Sequence, residues 1–174
     1  IAWDKAKEYS RWVIVEQQLQ GFDFRALVVN NRLIAVAKRV PAHVVGDGSK
    51  TIQELIDETN ADPRRGYGHE NVLTQIEIDN QTMRLVKAAG YGLDSVLPEG
   101  EELYLKTTAN ISTGGTAIDL TDEVHPENVV LFERIARIIG LDVAGIDVIA
   151  PNVSEPLREN GGGIIEVNAA PGFR

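Results

Sequence analysis

The chain has 174 residues, of which 43% are hydrophobic and 25% are charged, a composition that suits one globular domain with a hydrophobic core. Its formal net charge of −9 disfavours a protein whose main task is to grip nucleic acid, because phosphate backbones are neutralised by clustered Lys and Arg. The sequence has no apolar run long enough for a membrane span and no cysteine, which excludes disulfides and thiolate metal sites.

The first part of the chain is rich in residues that favour strands. Residues 12–19, 24–30 and 33–40 are runs of β-branched and other apolar residues, and each run predicts a strand. Asn30 and Asn31 lie between the second and third runs, and asparagine tolerates the positive φ angles of a tight hairpin turn. The pattern therefore predicts that the chain opens with a three-strand antiparallel meander.

Two helix-start signals mark the next part of the chain. Thr51, with Glu54 three residues later, forms a capping box and predicts a helix over about 52–60. Asp79 is a favourable N-cap residue and predicts a second helix over about 80–89. The Pro and Gly residues between them indicate a loop, so we expect two short helices joined by irregular structure.

The last part of the chain combines strands, a loop and one longer helix. A strand is predicted near 102–108, followed by a polar, glycine-rich loop over 110–116. Pro126 suits the first turn of a helix that runs to about residue 139. Strands are predicted at 143–150 and 163–169, on either side of a loop rich in Pro, Asn and Gly. The fold class is therefore α+β, with a mainly antiparallel sheet and flanking helices.

Three oxygen-bearing side chains interrupt the last two apolar strands. Glu166 and Asn168 are two residues apart and share one face of their strand, and Asp147 joins them if the two strands pair. Carboxylate and amide oxygens without His or Cys suit Mg²⁺ or Mn²⁺. The alternative is that all three face solvent on amphipathic strands, although Asp is a poor strand former. The pattern alone leaves both interpretations open.

Several segments of the chain resemble the ATP-grasp superfamily, in sequence and in order. Residues 145–148 and 165–172 look like its C-terminal signature, and residues 15–25 look like its adenine hinge and ribose-binding segment. Within the superfamily, the chain is especially similar to the ATP-grasp domain of cyanophycin synthetases. The segments that carry this likeness are 39–48, 62–69, 109–116 and 166–174. A family of bifunctional glutathione-forming ligases shares part of the pattern.

The resemblance implies a role for each residue that matches the superfamily's pattern. Phosphoryl transfer depends mainly on positioning and charge neutralisation, so cations and a metal site near the phosphates agree with these roles. The implied residues are, for ATP binding, Glu16, Leu19 and Asp23; for catalysis, Arg25, Arg39 and Asn110; for substrate binding, Gly114, Gly115 and Gly172; and for the metal, Asp147, Glu166 and Asn168.

The activity that the resemblance implies is an ATP-dependent ligation of a carboxylate to an amine, with ATP and Mg²⁺ (or Mn²⁺) as cofactors. ATP would phosphorylate a C-terminal carboxylate, and the amine of an incoming amino acid would displace the phosphate. In cyanophycin synthetases that amino acid is aspartate, and the acceptor is the poly-aspartate backbone of cyanophycin. Two alternatives stay open: another ATP-grasp amino-acid or glutathione-type ligase, and a non-catalytic module that binds a nucleotide or a polymer.

The same resemblance sets expectations for domain organisation. Residues 1–174 would form the C-terminal part of an ATP-grasp domain whose first nucleotide-binding lobe precedes Ile1, and the chain alone would then be inactive. The stop at 173–174, directly after a Pro-Gly turn, also suggests a piece of a longer protein. Residues 41–105 would form an inserted, lid-like subdomain. Expected partners are ATP, an amino acid and an acidic peptide polymer, without nucleic acid or membrane; we expect a cytoplasmic location, and a homo-oligomer is compatible with the sequence.

A few basic residues outside the signature segments are further candidates for contacts. Arg64, Arg65 and His69 lie in the loop between the two short helices. They are positioned either to contact an acidic chain or to form an ordinary solvated loop. Lys106 is a candidate for a phosphate contact, and His125 is expected to cap the helix that begins at Pro126.

Overall fold

The computed structural model describes residues 2–67 and 71–172. Each α-helix is followed by two or three strands, and helices and strands together account for about half of the chain. The helices are α1 (Ala2–Lys7), α2 (Ile52–Asn60), α3 (Asn80–Ala88) and α4 (Pro126–Ile139), and the strands are β1 (Phe22–Val29), β2 (Arg32–Val40), β3 (His43–Val45), β4 (Arg65–Gly66), β5 (Leu73–Thr74), β6 (Glu102–Tyr104), β7 (Thr116–Asp119), β8 (Val143–Ala150) and β9 (Gly163–Asn168).

The main sheet has five antiparallel strands in the order β7-β2-β1-β8-β9. Alternate residues of a strand point to opposite faces, and the apolar set of β1 and β8 packs against α4. Burial of this apolar surface is the main stabilising term of the unit. The residues of this core are Phe24, Ala26, Val28, Val36, Phe132, Ala136, Ala144, Ile146, Val148, Ala150, Val153 and Leu157.

The segment between β2 and β7 has a separate hydrophobic core. In it, β3 pairs antiparallel with β6, and α2 and α3 pack nearby. None of its core residues belongs to the core under α4. The residues of this second core are Ala42, Val44, Ile52, Leu55, Ile56, Ile76, Val86, Leu97, Leu103 and Leu105. We call residues 41–105 the insert.

Local signals predicted several element boundaries correctly. The Thr51 side chain accepts from the Glu54 N–H and the Glu54 carboxylate accepts from the Thr51 N–H, so the capping box is present and α2 begins at Ile52. The Asp79 carboxylate caps α3. Asn30 and Asn31 have φ angles of 48° and 60°, which is the left-handed region that a tight hairpin needs. Each of these signals acts within a few residues, so no distant contact is needed to realise it.

One strand prediction was wrong, and another was too long. Residues 12–19 form no strand, and the side chains of Trp12, Ile14 and Val15 are 78, 83 and 79% exposed. Strand propensity becomes a strand only where a partner supplies hydrogen bonds, and no described residue pairs with this segment. The meander therefore reduces to the β1–β2 hairpin. The strand predicted near 102–108 is present as β6 but ends at Tyr104. Lys106, two residues later, is buried.

Asn128, at the start of α4, fastens the loop between β8 and β9 to the core. Its amide donates to the carbonyls of Val153 and Glu155 at 2.9 and 2.8 Å, and its oxygen accepts from the Leu157 N–H at 2.9 Å. The residue is 1% exposed. Polar groups buried without partners are costly, so these three bonds explain a buried amide in an otherwise apolar core.

The substitution Asn128→Ala is expected to lower the free energy of unfolding by about 2–4 kcal/mol, because it removes three hydrogen bonds of a buried amide and with them the side-chain acceptor of the buried Leu157 N–H. Chemical denaturation monitored by far-UV circular dichroism measures this change. Glu127→Ala, one residue earlier and exposed, is the matched control and should change stability by less than about 1 kcal/mol. A loss below that value for Asn128→Ala would show that the loop is held by other contacts.

None of the helices within residues 2–67 and 71–172 combines the length and the apolar character that a membrane crossing requires.

Candidate functional site

The site lies on the face of the main sheet opposite α4. The β1 residues Asp23 and Arg25 alternate with the buried Phe24 and therefore point to this face. Strand register adds two more residues, since Asp23 is opposite Arg39 on β2 and Arg25 is opposite Asp147 on β8. We call this surface, together with Glu166 and Asn168 of β9, the polar face.

A continuous network of ion pairs joins the first four residues of the polar face. The Arg25 guanidinium donates through Nε to Asp147 Oδ1 at 2.5 Å and through Nη2 to Oδ2 at 3.2 Å. Arg39 donates to Asp23 Oδ1 through Nε at 2.8 Å and through Nη2 at 2.6 Å. Arg39 Nη2 also lies 3.2 Å from Asp147 Oδ1. Asp147 is thus shared by two arginines, and Arg39 is shared by two aspartates.

The Asp23 carboxyl is partly buried in this network. Burial raises the pKa of the Asp23 carboxyl, and the negative charge of Asp147 reinforces the rise. The hydrogen bond and positive charge of Arg39 oppose it. Arg39 therefore helps to keep the Asp23 carboxyl ionised.

The β8–β9 hairpin brings the predicted metal ligands close together. Glu166 is directly opposite Asp147, and Asn168 Nδ2 donates to Asp147 Oδ2 at 3.3 Å. The register shifts next to Asp147, where Ile165 is the extra residue of a β-bulge, a feature common beside active sites. Glu166 is exposed, and Asp147 is buried.

Two carboxylates and an amide form the donor set that results. They suit Mg²⁺, which takes few protein ligands and completes its shell with water and phosphate oxygens. Among the residues that the structure describes, no three His, Cys, Asp or Glu side chains cluster closely enough to hold a metal. Three ligands fill only about half of the octahedral shell of Mg²⁺, so the set would suit an ion whose other ligands are water and phosphate oxygens.

A cavity of about 280 Å³ opens over the two arginines. Its walls come from three parts of the chain that are distant in sequence. They are the arginines of β1 and β2, the start of the glycine-rich loop, and the turn after β9. Its lining residues are Arg25, Ala37, Arg39, Asn110, Ile111, Ser112, Ala117 and Gly172. The cavity thus unites three residues predicted for catalysis with one predicted for substrate binding.

The two glycines of the loop contribute backbone shape rather than cavity wall. Gly114 has a φ of +91°, and a Cβ there would lie 2.7 Å from Ile76 Cγ1. At Gly115 a Cβ would lie 2.7 Å from the Val40 carbonyl oxygen. Neither glycine is among the described residues that line the cavity. They allow the loop to turn tightly and to pack against its neighbours.

The residues predicted for the adenine hinge lie in the irregular segment before β1. Leu19 packs against Gly163, where a Cβ would lie 2.6 Å from Leu19 Cδ1. Glu16 is exposed. Neither residue is among the described residues around the cavity, so the structure does not bring them together with the arginines.

Sequence reasoning missed the packing role of Gly145 and predicted the wrong environment for Lys106. A Cβ at Gly145 would lie 2.5 Å from Pro171 Cβ and 3.0 Å from Arg25 Nη1, so this glycine makes room for the turn after β9. Lys106 is 3% exposed and bonds to Asp79 at 2.7 Å, which contradicts the predicted phosphate contact. No sequence pattern marks a buried Lys, because lysine is almost always exposed.

The other predicted basic contacts also have different outcomes. Arg65 is buried and donates to two backbone carbonyls, so it is neither a solvated loop residue nor a free contact for a polymer. Arg64 pairs with Asp62 and is exposed. His69 lies outside the described residues. His125 accepts from the Glu127 N–H and caps α4, as predicted.

Comparison with known proteins gives a consistent set of relatives. No protein-family profile matches the chain. A cyanophycin synthetase of Synechocystis sp. is 58% identical over 99% of the chain, which covers 20% of that protein. A glutathione biosynthesis bifunctional protein of Mannheimia succiniciproducens is 38% identical over 98% of the chain and 22% of that protein. The chain thus spans about a fifth of the length of these relatives.

A solved structure supports the fold assignment. A bifunctional glutathione synthetase from Pasteurella multocida is 34% identical and superimposes with a TM-score of 0.79, over 90% of this chain and 21% of that one. The mainly antiparallel five-strand sheet with flanking helices is thus shared with a known ligase. The predicted α+β class, with a mainly antiparallel sheet and flanking helices, is confirmed. The assignment of residues 1–174 to the C-terminal part of a larger domain stays a prediction.

Proposed function

We propose, from the premise that this chain belongs to the ATP-grasp ligase family, that its polar face is the phosphoryl-transfer centre of a carboxylate–amine ligase. The observation that supports this proposal most strongly is that Arg25, Arg39 and Asn110 line one cavity beside Asp147. Two cations that face one opening are the groups expected around the phosphates of a nucleotide. The whole reaction would need further residues that the relatives carry in the rest of their length.

The roles of the individual residues follow from charge and position. Arg25 and Arg39 would neutralise the transferring phosphate and the acyl phosphate. Asp23, beside Arg39, would accept hydrogen bonds from the ribose hydroxyls, and the segment with Glu16 and Leu19 would contact adenine. Arg39 would thus lie between the sugar and the phosphates.

Asp147, Glu166 and Asn168 would hold Mg²⁺, which neutralises phosphate charge when bound. The support for this assignment is that Glu166 is opposite Asp147 and that the Asn168 amide lies within hydrogen-bond distance of the Asp147 carboxylate. Asp147 would remain anchored by Arg25 in the process. Gly172 lines the cavity and would face the substrate carboxylate, while the Gly114–Gly115 backbone would position the loop.

The proposed reaction has two steps. A substrate carboxylate oxygen attacks the γ-phosphorus of ATP and an O–P bond forms. The bond from that phosphorus to the bridging oxygen breaks, and ADP leaves with its electrons. The amine then attacks the acyl carbon, the amide C–N bond forms, phosphate leaves with the bond electrons, and the amine gives up a proton. No side chain acts as a covalent nucleophile, so positioning and charge neutralisation supply the catalysis.

We propose that the insert acts as a lid over the cavity. Its own hydrophobic core makes it a separate packing unit, and Arg65 and Ile76 bring it against the glycine-rich loop. Between residues 41 and 105 there are twelve Asp and Glu against five Lys and Arg, a formal charge of −7. That charge would repel an acidic polymer, so covering the site suits the insert better than guiding such a chain.

The proposed substrates are an amino acid, aspartate, and the carboxyl end of an acidic poly-aspartate chain. The support is the 58% identity to a cyanophycin synthetase, against 38% to a glutathione biosynthesis protein. The use of ATP suggests the cytoplasm as the location. A glutathione-type ligase is the second candidate, because the solved glutathione synthetase shares the fold.

The test uses the full-length protein that contains this chain, with Mg-ATP and two substrate pairs. One pair is an aspartate-rich peptide with aspartate, and the other is γ-glutamylcysteine with glycine. We expect one ADP per amide bond with the first pair only, with the product one aspartate heavier by mass spectrometry. Product from the second pair alone would show that the substrates are those of a glutathione-type ligase. No product from any amino acid, from folded protein, would favour a non-catalytic binding module.

A further inference from the structure

The strongest feature outside the polar face is a buried arginine at the junction of the insert and the main sheet. Arg65 lies on β4 and is 9% exposed. Its Nη1 donates to the Thr74 carbonyl at 2.7 Å and to the Gly114 carbonyl at 2.9 Å. The first bond holds β4 to β5 within the insert, and the second crosses to the glycine-rich loop. One guanidinium nitrogen therefore bridges the two units.

The charge of Arg65 needs an explanation, because burial disfavours a cation. Asp62, the acidic group closest in sequence, pairs with Arg64 instead. Burial lowers the pKa of the Arg65 guanidinium. Carbonyl oxygens are therefore the direct partners that the structure shows for this side chain, and a side chain without a hydrogen-bond donor would bond to neither of them.

The contact at Gly114 is tight as well as polar. A Cβ on Gly114 would lie 2.7 Å from Ile76 Cγ1 and 3.0 Å from Ile76 Cα, so the loop backbone lies flush against the insert. Ile76 is 3% exposed and is itself held by two hydrogen bonds with the Asn60 side chain. The glycine-rich loop therefore packs against a part of the insert that is held in place by its own hydrogen bonds.

The other end of the same loop reaches the proposed reaction site. Asn110 and Ser112 line the cavity over Arg25 and Arg39. The loop is stiffened by internal bonds, since the Gly114 N–H donates to the Ile111 carbonyl and the Gly115 N–H donates to the Asn110 carbonyl, both at 3.1 Å. A displacement at Gly114 is therefore transmitted to Asn110.

We infer that Arg65 is a positioning residue that fixes the glycine-rich loop to the insert and thereby sets the place of Asn110 in the cavity. This inference deepens the proposed function and rests on it for its kinetic consequence. Its structural consequence, the order of the loop, is independent of any activity. The two consequences are measured separately.

The first measurement is hydrogen exchange of the loop amides in the full-length protein. Arg65→Met keeps an unbranched side chain but removes the nitrogen that donates both bonds, and we expect peptide 109–117 to exchange at least about 10-fold faster, with β1 and β8 unchanged. Gly114→Ala disturbs the same junction from the other side and should give the same pattern. Arg84→Met, an exposed arginine on α3, is the control and should change nothing. Unchanged loop exchange in Arg65→Met, or a uniform rise across the chain, would overturn the inference.

The second measurement is steady-state kinetics of the same variants. Arg65→Met should lower kcat/KM for the carboxylate substrate by about 10- to 100-fold, because small misplacements of a positioning group are costly, while the KM for ATP stays within about twofold. Arg65→Lys keeps one donor and should recover part of the loss. An equal change for both substrates would indicate a general structural role. Inactive wild-type protein would refute the ligase proposal, and the exchange data would still decide the role of Arg65.

Discussion

Asp147→Asn in the full-length protein is expected to lower substrate-dependent ADP release by at least about 10³-fold. The substitution keeps the shape of the side chain but removes the carboxylate that Arg25 and Arg39 share. It also removes the most buried ligand of the proposed metal set. Loss of electrostatic preorganisation and of a metal ligand each cost orders of magnitude in rate. Initial rates over a range of Mg²⁺ concentrations measure the effect, and the variant should need more Mg²⁺ than the wild type.

The matched control is Asp142→Asn. Asp142 is exposed and directly precedes β8, so it tests the same change of charge near the same strand. It should keep wild-type activity within about twofold, and thermal unfolding of both variants must lie above the assay temperature. Activity of Asp147→Asn within tenfold of the wild type would show that phosphoryl transfer takes place elsewhere.

Arg39→Met is expected to have the second-largest effect, a loss of about 10²- to 10³-fold in kcat/KM. Arg39 lines the cavity and holds both Asp23 and Asp147. Its loss removes a cation from the proposed phosphate site and frees two carboxylates to repel each other. Arg39→Lys keeps the charge but not the planar fork, so it should recover only a small part of the activity. ADP release at saturating and limiting ATP measures both variants.

Two further variants separate the local role of Arg39 from a general charge effect. Arg32→Met removes an exposed arginine at the start of β2 and should leave kcat/KM within about twofold. Asp23→Asn combined with Arg39→Met should cost less than the two single changes added together, because the partners act as a pair. Additive losses for Asp23 and Arg39, or wild-type rates for Arg39→Met, would contradict the proposed network.

The sequence predicted best those features that local chemistry determines. The capping box of Thr51 and Glu54, the Asp79 cap and the Asn30-Asn31 turn act within a few residues of the backbone they satisfy. The pairing of β8 with β9 could also be predicted, because the two strands are neighbours in the chain. Asp147, Glu166 and Asn168 could therefore be placed together before the structure was known.

Features that depend on distant partners could not be predicted in the same way. The pairing of Arg25 with Asp147 follows from the register of β1 against β8, which are more than a hundred residues apart. The run at 12–19 has high strand propensity but no described partner, so it forms no strand. Burial of Arg65 depends on hydrogen bonds to two carbonyls from separate segments, and no local sequence pattern indicates these bonds.

The central claim is that a substrate carboxylate is activated as an acyl phosphate at the polar face. Its most direct test is oxygen transfer from an ¹⁸O-labelled carboxylate substrate to phosphate, measured by mass spectrometry in the full-length protein. We expect one ¹⁸O in each phosphate released by the wild type, with both label and turnover lost in the Asp147→Asn, Glu166→Gln double variant. Amide formation with unlabelled phosphate, or undiminished transfer in the double variant, would contradict it.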